Sequence, residues 1–336
     1  MKKTLFALAA LGAFAGAASA QSTVQLFGTV DLAARYVKNG DVKRTDLASN
    51  GNSTSRLGVR GVEDLGGGLK AGFWLEAAVN PDSGTADTSR FWGRRSTVSL
   101  MGDFGEVRLG RDKMPTQLAF EAYDVFGATG IADINTTYRV PSGITVAANS
   151  RADNAVQYIL PGNLNGVYGT LAVAAGEGVT GGKYMGGRIG WASGPVDVSV
   201  AYGQNEITDS DDFKRFVIGG SYDFQVVKVL ANYQETKFQD QKDRHMTVGA
   251  SVPFGVGEFK ASYSKIDGRG GAIADRDADQ FAIGYVHNLS KRTALYTTYA
   301  YIKNDGTANY VVADNGATSM TGRKSQGVDV GIRHSF

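Results

Sequence analysis

From Val24 onward, apolar and polar side chains alternate with a period of two. Val24, Leu26, Gly28, Val30, Leu32, Ala34 and Tyr36 fall on one side, and Gln25, Asp31 and Arg35 on the other. The same pattern closes the chain, where Val328, Val330, Ile332, His334 and Phe336 alternate with Asp329, Gly331, Arg333 and Ser335. Alternation of this kind predicts strands with one apolar and one polar face. About sixteen such segments can be counted, at 23–37, 54–63, 68–80, 90–101, 104–111, 151–160, 167–177, 184–193, 195–204, 213–224, 226–238, 243–253, 257–267, 278–288, 292–303 and 325–336.

The connections alternate in length. Short turns fall at 64–67, 102–105, 193–195, 223–225 and 288–290, and long polar loops at 38–53, 112–150, 205–212, 268–277 and 304–324. Strands of about ten residues, short turns at one end and long loops at the other predict an all-β fold, a 16-stranded antiparallel transmembrane β-barrel. A barrel of that size is too wide for side chains to fill, so its polar face lines water. Tyr36, Phe73, Tyr222, Phe224, Tyr233 and Tyr299 lie towards strand ends, where aromatic girdles form.

Composition agrees with strands and not helices: 45 Gly stand against 6 Pro, mean hydropathy is −0.19, and no later apolar run approaches helical spanning length. The start reads differently. Lys2 and Lys3 precede an apolar run from Leu5 to Ala18 that ends Ala18-Ser19-Ala20, the pattern of a cleaved secretory signal. The expected organisation is a signal peptide over 1–20 and one barrel domain over 21–336.

The 35 Lys+Arg and 33 Asp+Glu nearly cancel, which argues against a nucleic-acid partner. With 0 Cys there is no disulfide framework, thiolate metal site or cysteine nucleophile. The histidines, His245, His287 and His334, lack metal-ligand spacing, and no Gly-x-Ser-x-Gly elbow occurs. The glycine-rich run Gly176–Gly182 lacks the Lys-Ser/Thr of a phosphate loop and reads as a turn. Neither catalysis nor a metal or cofactor is expected.

Several stretches carry a resemblance: Val24–Asp31, Ser55–Ala71, Phe104–Arg111 and Gly331–Phe336. The Ser55–Ala71 stretch is the most specific of them. Together they resemble the general diffusion porins of Gram-negative outer membranes, most closely those of betaproteobacteria, over the whole chain after residue 20. The resemblance implies a homotrimer among outer-membrane lipid and lipopolysaccharide, and passive diffusion of small hydrophilic solutes and ions. It also implies a third loop folded into the lumen, which segment 112–150 would supply. By position, Arg56, Arg94 and Arg151 resemble the family's basic cluster, and Arg60 shares the face of Arg56. Strand alternation would turn Arg95 away from the lumen if Arg94 faces it. Glu76, Glu121, Asp124 and Asp133 are candidates for the acidic side. The loop tip departs from enterobacterial relatives, with Val125 where they carry a glutamate, so the constriction is expected to be more positive and to prefer anions. Phe336 resembles the terminal aromatic that the barrel-assembly machinery reads.

Each of these charges also fits a plainer place, the arginines as solvated wall residues and the loop acids as hydrogen-bond anchors. Three rival functions stay open: a substrate-specific channel, a plugged adhesin or structural barrel, and a secreted β-sandwich. Conductance separates the first two from a diffusion channel, and heat-modifiable migration excludes the third.

Overall fold

The structure, a computed structural model, describes residues 23–87, 89–138, 140–208, 211–317 and 320–336. The expected signal peptide and its cleavage point lie outside the described residues. Eighteen strand segments form one antiparallel sheet: β1 (Thr23–Asn39), β2 (Val42–Ser49), β3 (Arg56–Gly66), β4 (Leu69–Asn80), β5 (Thr85–Ala86), β6 (Arg95–Gly102), β7 (Gly105–Lys113), β8 (Arg151–Ile159), β9 (Val167–Ala174), β10 (Tyr184–Ser193), β11 (Val196–Glu206), β12 (Asp212–Asp223), β13 (Lys228–Phe238), β14 (Gln241–Phe254), β15 (Gly257–Arg269), β16 (Arg276–Asn288), β17 (Thr293–Gly306) and β18 (Lys324–Ser335). β2 and β3 pair with the upper and lower parts of β1 and share one wall position. β5 is a two-residue flap on β4. The wall is therefore a 16-strand barrel, closed where β1 pairs β18.

Period-2 alternation sorts the side chains as expected. On β1, Val24, Leu26 and Val30 are exposed on the outer face while Asp31, Ala33 and Val37 are buried inside. β18 repeats this with Val328, Val330 and Ile332 outside and Asp329 inside. An outer apolar band with a polar interior is what hydrocarbon on one side and water on the other require. Tyr222 and Phe224 stack at 4.4 Å and Phe259 and Tyr285 at 4.5 Å near the short turns, forming part of an aromatic girdle.

Two expectations about segments need correction. The span 38–53 is not a loop, because Val42–Ser49 pairs with Leu32–Asn39 as β2. Its run Lys43-Arg44-Thr45-Asp46 hides the strand, since four polar residues in succession break the alternation. The fourth wall strand starts at Arg95, not residue 90, because the Asp87 carboxylate accepts the backbone N–H groups of Ser89 and Arg90 and holds that stretch in a turn.

Between β2 and β3, residues 50–55 bulge inward around Asp31. Its carboxylate accepts the N–H groups of Gly51 (3.0 Å), Asn52 (3.0 Å) and Ser53 (2.7 Å) and the Tyr296 hydroxyl. Loop 114–150 enters the lumen as helix α1 (Pro115–Ala122), with Pro115 at the helix start, where its missing N–H costs nothing. The loop then follows the wall. Tyr123, Val125, Phe126, Ile131 and Ala132 join one apolar cluster with Ala278, Ala282, Ala300 and Ile302 of β16 and β17.

That docking depends on small wall residues. A Cβ on Gly219 would stand 2.3 Å from the Tyr123 ring, one on Gly249 3.0 Å from Val125, and one on Gly284 3.0 Å from Phe126. Polar anchors fix the rest. Arg215, buried on β12, donates to Gln234 (2.6 Å) and to Gln117 of α1 (2.7 Å), with its guanidinium over the Phe120 and Tyr138 rings. His245 Nε2 lies 2.9 Å from Thr137 Oγ1. Farther along, Thr129 Oγ1 donates to the Asn50 carbonyl at 3.0 Å, and Gly130, at φ 71, passes so close to Gly51 that a Cβ there would lie 2.1 Å from its carbonyl oxygen.

The chain end pairs with its start: Gly28 N–H donates to the Phe336 carbonyl and Phe336 N–H to the Gly28 carbonyl, both at 3.1 Å. The Phe336 ring occupies the space a Cβ on Gly28 would need, 2.4 Å from it.

Two outcomes follow from this packing. Gly219→Leu overpacks the loop seat at a cost of about 1–3 kcal/mol. It should unseat Tyr123, which single-channel recording would register as excess open-channel noise and limited chymotrypsin digestion as a new cut in 114–150; a quiet, protected channel would contradict the seat. Deleting Phe336, or placing Leu at Gly28, should lower the yield of heat-modifiable barrel several-fold, and an undiminished yield would show that the closing contact is dispensable.

Candidate functional site

Seating the loop against the wall leaves a passage open between its tip, the bulge at 50–55 and β3, β7, β15 and β18. There a cleft of about 380 Å³ is lined by Asn52, Ser53, Thr54 and Arg56, by Arg94 and Lys113, by the loop tip Asp124–Thr129, and by Lys260 and Arg333. Five cationic side chains thus face one carboxylate, that of Asp124.

Their partners divide them. Arg94 donates from Nε to Glu76 Oε1 at 2.6 Å, and Glu76 also accepts from Trp74 Nε1 at 3.1 Å. Lys113 pairs with Glu121, which also accepts from Gln117 at 2.6 Å. Lys260 pairs with Glu258 at 2.9 Å. Among the described residues neither Arg56 nor Arg333 has a salt-bridge partner, and Arg333 Nε is buried without a hydrogen bond. Arg56 sits in the electrostatic field of both Glu76 and Arg94.

The loop acids work inward. Asp124 accepts the N–H groups of Phe126 (3.0 Å) and Ala128 (2.8 Å) and so shapes the tip. Burial pushes its carboxyl up to about 6, against the pull of those N–H groups and of Lys260. Asp133 caps the short turn Ile134–Thr136 through the Asn135 N–H at 2.7 Å, and burial, with repulsion from Asp124 and Glu121, pushes it up to about 7. Val125 turns from the passage and packs on the wall at Gly249.

Of the residues expected from sequence, Arg56, Arg94 and Asp124 meet in the cleft, with Glu76 and Glu121 behind it as the partners of Arg94 and Lys113. Arg151 stands beside them, donating from Nε to the Arg94 carbonyl at 2.9 Å. Arg60 does not join them. It lies nearer the short turns, bound to Gln25 (3.0 and 2.8 Å) and stacked on Trp74 at 4.9 Å, in a vestibule shared with Arg95 and Arg108. Arg95 also faces the lumen, opposite Glu76 in register and 4.5 Å from the Trp74 ring. The expected outward turn fails because Arg94 belongs to the bend before β6, where strand alternation does not apply. Lys113, Lys260 and Arg333 were not singled out, although Arg333 shares its face with Asp329 and Lys260 shares one with the buried Ser262 and Ser264, so parity points both inward.

Comparison with known proteins places this geometry. A family model described as Gram-negative porin matches residues 7–307. Outer membrane porin protein 32 of Delftia acidovorans is 43% identical over 362 residues, covering 100% of both chains. The major outer membrane protein P.IB of Neisseria meningitidis is 27% identical over 367 residues, again covering 100% of both. Among solved structures, the anion-selective porin from Comamonas acidovorans superposes with a TM-score of 0.86 at 41% identity, over 94% of this chain and 100% of that one. OmpT of Vibrio cholerae in its trimer form shares the fold at a TM-score of 0.69 and 15% identity, over 94% of this chain and 99% of that one. With a sixteen-strand barrel, a wet charged constriction and relatives matched end to end, the chain belongs to the Gram-negative porin family, and is an outer-membrane porin that passes small hydrophilic solutes by passive diffusion.

Proposed function

We propose that this porin prefers anions, and that Arg56, Arg94 and Arg333 set the preference. The observation that carries the reading is the charge balance of the cleft: five cations against one carboxylate, with Arg56 and Arg333 unpaired among the described residues. Fixed positive charge in a narrow, partly desolvated passage raises the local anion concentration, and the advantage falls as salt screens it. Arg151 acts by holding the Arg94 backbone, and Glu76 by orienting its guanidinium. No step of bond making or breaking is involved. The anion-selective porin from Comamonas acidovorans supports the reading by likeness.

The assembly we propose is a homotrimer, in line with the OmpT structure in trimer form. Phe91 and Trp92 pack edge to face at 4.7 Å in the loop before β6, which the Arg90–Asp153 ion pair (2.6 Å) ties to β8. The exposed Phe91 ring, backed by the half-buried Trp92, suits a subunit contact. Residues 1–20 serve as an export signal, and Phe336 is the terminal signal for the assembly machinery. A chain mass by light scattering in mild detergent that equals one protomer, with full conductance, would exclude the trimer.

Planar-bilayer recording across a potassium chloride gradient tests the preference. Wild type should show a chloride-selective reversal potential, and Arg56→Gln or Arg94→Gln should lower the chloride-to-potassium ratio at least about twofold while keeping the barrel. Arg323→Gln, outside the lumen on an exposed pair with Asp41, should leave it unchanged. Arg276 is unsuitable as a neutral control. It opens β16 and pairs with buried Asp243 at 2.7 Å, and breaking such a pair costs about 3–5 kcal/mol. A cation-selective wild type would end the proposal.

Selectivity should also depend on pH. Burial raises Asp124 to about 6 and Asp133 to about 7, above the ordinary carboxylate value of about 3.9. The folded loop therefore takes up protons that the unfolded chain does not. Their contribution to loop stability is fully present below the ordinary value and is lost as pH rises through those two values. Acidification from about pH 8 to about pH 5 removes up to two negative charges from the loop, so the chloride preference should rise. Asp124→Asn should abolish the lower step, and an unchanged pH profile in that variant would assign the titration elsewhere.

A further inference from the structure

Behind the constriction loop, the hydrogen bonds that hold α1 run in one direction. Among the described residues the hydrogen-bond partners of buried Arg215 are all neutral oxygens: Gln234 Oε1, Gln117 Oε1, and the carbonyl and Oδ1 of Asn149. A guanidinium can only donate, so Gln117 must turn its amide oxygen towards Arg215. Its Nε2 then points the other way and finds two acceptors, Glu121 Oε1 at 2.6 Å and Asn135 Oδ1 at 3.0 Å. Asn135, accepting through its oxygen, is left to donate from Nδ2 to Asp133 Oδ1 at 2.8 Å. Turning the Gln117 amide round would set N–H against N–H at Arg215 and oxygen against oxygen at Glu121. One donor-only cation thus fixes the polarity of two amides and delivers donors to two loop acids.

Glu121 is the acid for which this polarity has a consequence at the passage. It follows Gln117 by one helical turn on α1, a spacing at which side chains meet. Two cations stand before it, Lys113 at the end of β7 and Arg151 at the start of β8, directly opposite each other in register. Like charges so placed repel. Both are in reach of Glu121, Lys113 as its ion-pair partner and Arg151 through its electrostatic field. A free carboxylate would favour the guanidinium, whose fork of donors matches its two oxygens. Glu121 is on Lys113 nevertheless. Held at Oε1 by Gln117, it presents Oε2 to Lys113, and Arg151 keeps its Nε on the Arg94 carbonyl at 2.9 Å.

We propose that Gln117, oriented by Arg215, is a positioning residue of the constriction: it assigns Glu121 to Lys113 and keeps it from Arg151. The assignment decides which cation beside the passage is neutralised. With Glu121 on Lys113, Arg151 stays free to brace the bend that carries Arg94, and Arg94 lines the cleft. Released, the carboxylate moves to Arg151, the brace on Arg94 loosens and Lys113 is left without its acid. Neither Arg215 nor Gln117 lines the cleft, so both act on it through Glu121. The effect on ion preference rests on the anion reading above, whereas the placement of Glu121 does not.

A water-soluble carbodiimide joins a carboxylate to an amine in contact with it, and so reads the placement directly. In wild-type porin in detergent, mass spectrometry of the digested product should show Lys113 joined to Glu121, in greater yield than to the adjacent Asp112. Gln117→Met removes the amide altogether, whereas Gln117→Glu keeps an acceptor for Arg215 but gives Glu121 no donor. Both variants should lose the Lys113–Glu121 product at least about threefold, since a hydrogen bond to a charged group is removed. Gln117→Glu, still tied to Arg215, should keep heat-modifiable migration and a loop resistant to chymotrypsin. If Gln117→Glu retains the wild-type yield that Gln117→Met loses, Gln117 only anchors α1 and the proposal falls; the wild-type yield in both variants overturns it as well. Should neither variant assemble, wild type decides alone: no Lys113–Glu121 product, or Asp112 as the preferred partner, overturns the assignment. A cation-selective wild type would end the anion reading and leave the coupling result standing.

Discussion

The wall must be smooth where the loop lies. Segment 114–150 can enter the lumen only because β12, β14 and β16 present glycine at positions 219, 249 and 284 and because Ala278, Ala282 and Ala300 continue the surface. A side chain of ordinary size at these points would meet Tyr123, Val125 or Phe126. Placing the loop there leaves the passage between its tip and the bulge at 50–55, lined by the cations of β3, β7, β15, β18 and the bend before β6. Pore position is thus a consequence of residue size on the far wall, and the charge at the constriction acts only because the loop has narrowed the lumen there.

A loop drawn into the barrel must satisfy its own backbone. This requirement accounts for the fate of its acids: Asp124 and Asp133 accept loop N–H groups, and Glu121 holds Lys113 and Gln117. Of these acids only Glu121 is in an ion pair with a cation of the passage, Lys113, so Arg56 and Arg333 stay without a carboxylate partner among the described residues. With Val125 packed into the wall, the loop tip brings no further negative charge. The excess positive charge of the cleft therefore follows from two separate economies, an apolar residue that anchors the tip and an acid that shapes it.

Most of the barrel was legible because its two solvents write a period of two into nearly every strand. It failed at β2, whose run Lys43-Arg44-Thr45-Asp46 carries no alternation, and at the bend before β6, where Arg94 and Arg95 escape the parity rule. The constriction was only partly legible. Arg56 and Arg94 could be named by resemblance, and Arg333 and Lys260 lay on readable inward faces. What a single sequence does not show is height along the barrel axis, and that coordinate separates Arg60, down with Trp74 and Arg108, from Arg56, only four residues earlier on the same strand face. The wall glycines and alanines under the loop gave no signal either, since a small residue on a strand announces an approach without naming what approaches.

The same alternation lets one strand serve two charge systems. On β12, Arg215 faces inward and anchors α1, whereas Lys214 beside it faces the lipid boundary; on β14, Asp243 and His245 face inward between Lys242 and Arg244 facing out. The inner charges are buried, paired and fixed in the fold, and the outer ones are exposed and in excess. Exposed charges are screened over about 8 Å at physiological ionic strength, and those on the outer face do not line the conducting path. The two charge systems are therefore separated by the wall itself: a substitution on the outer face leaves the charges lining the cleft in place, and the cleft's cations are those that the seated loop leaves facing the lumen.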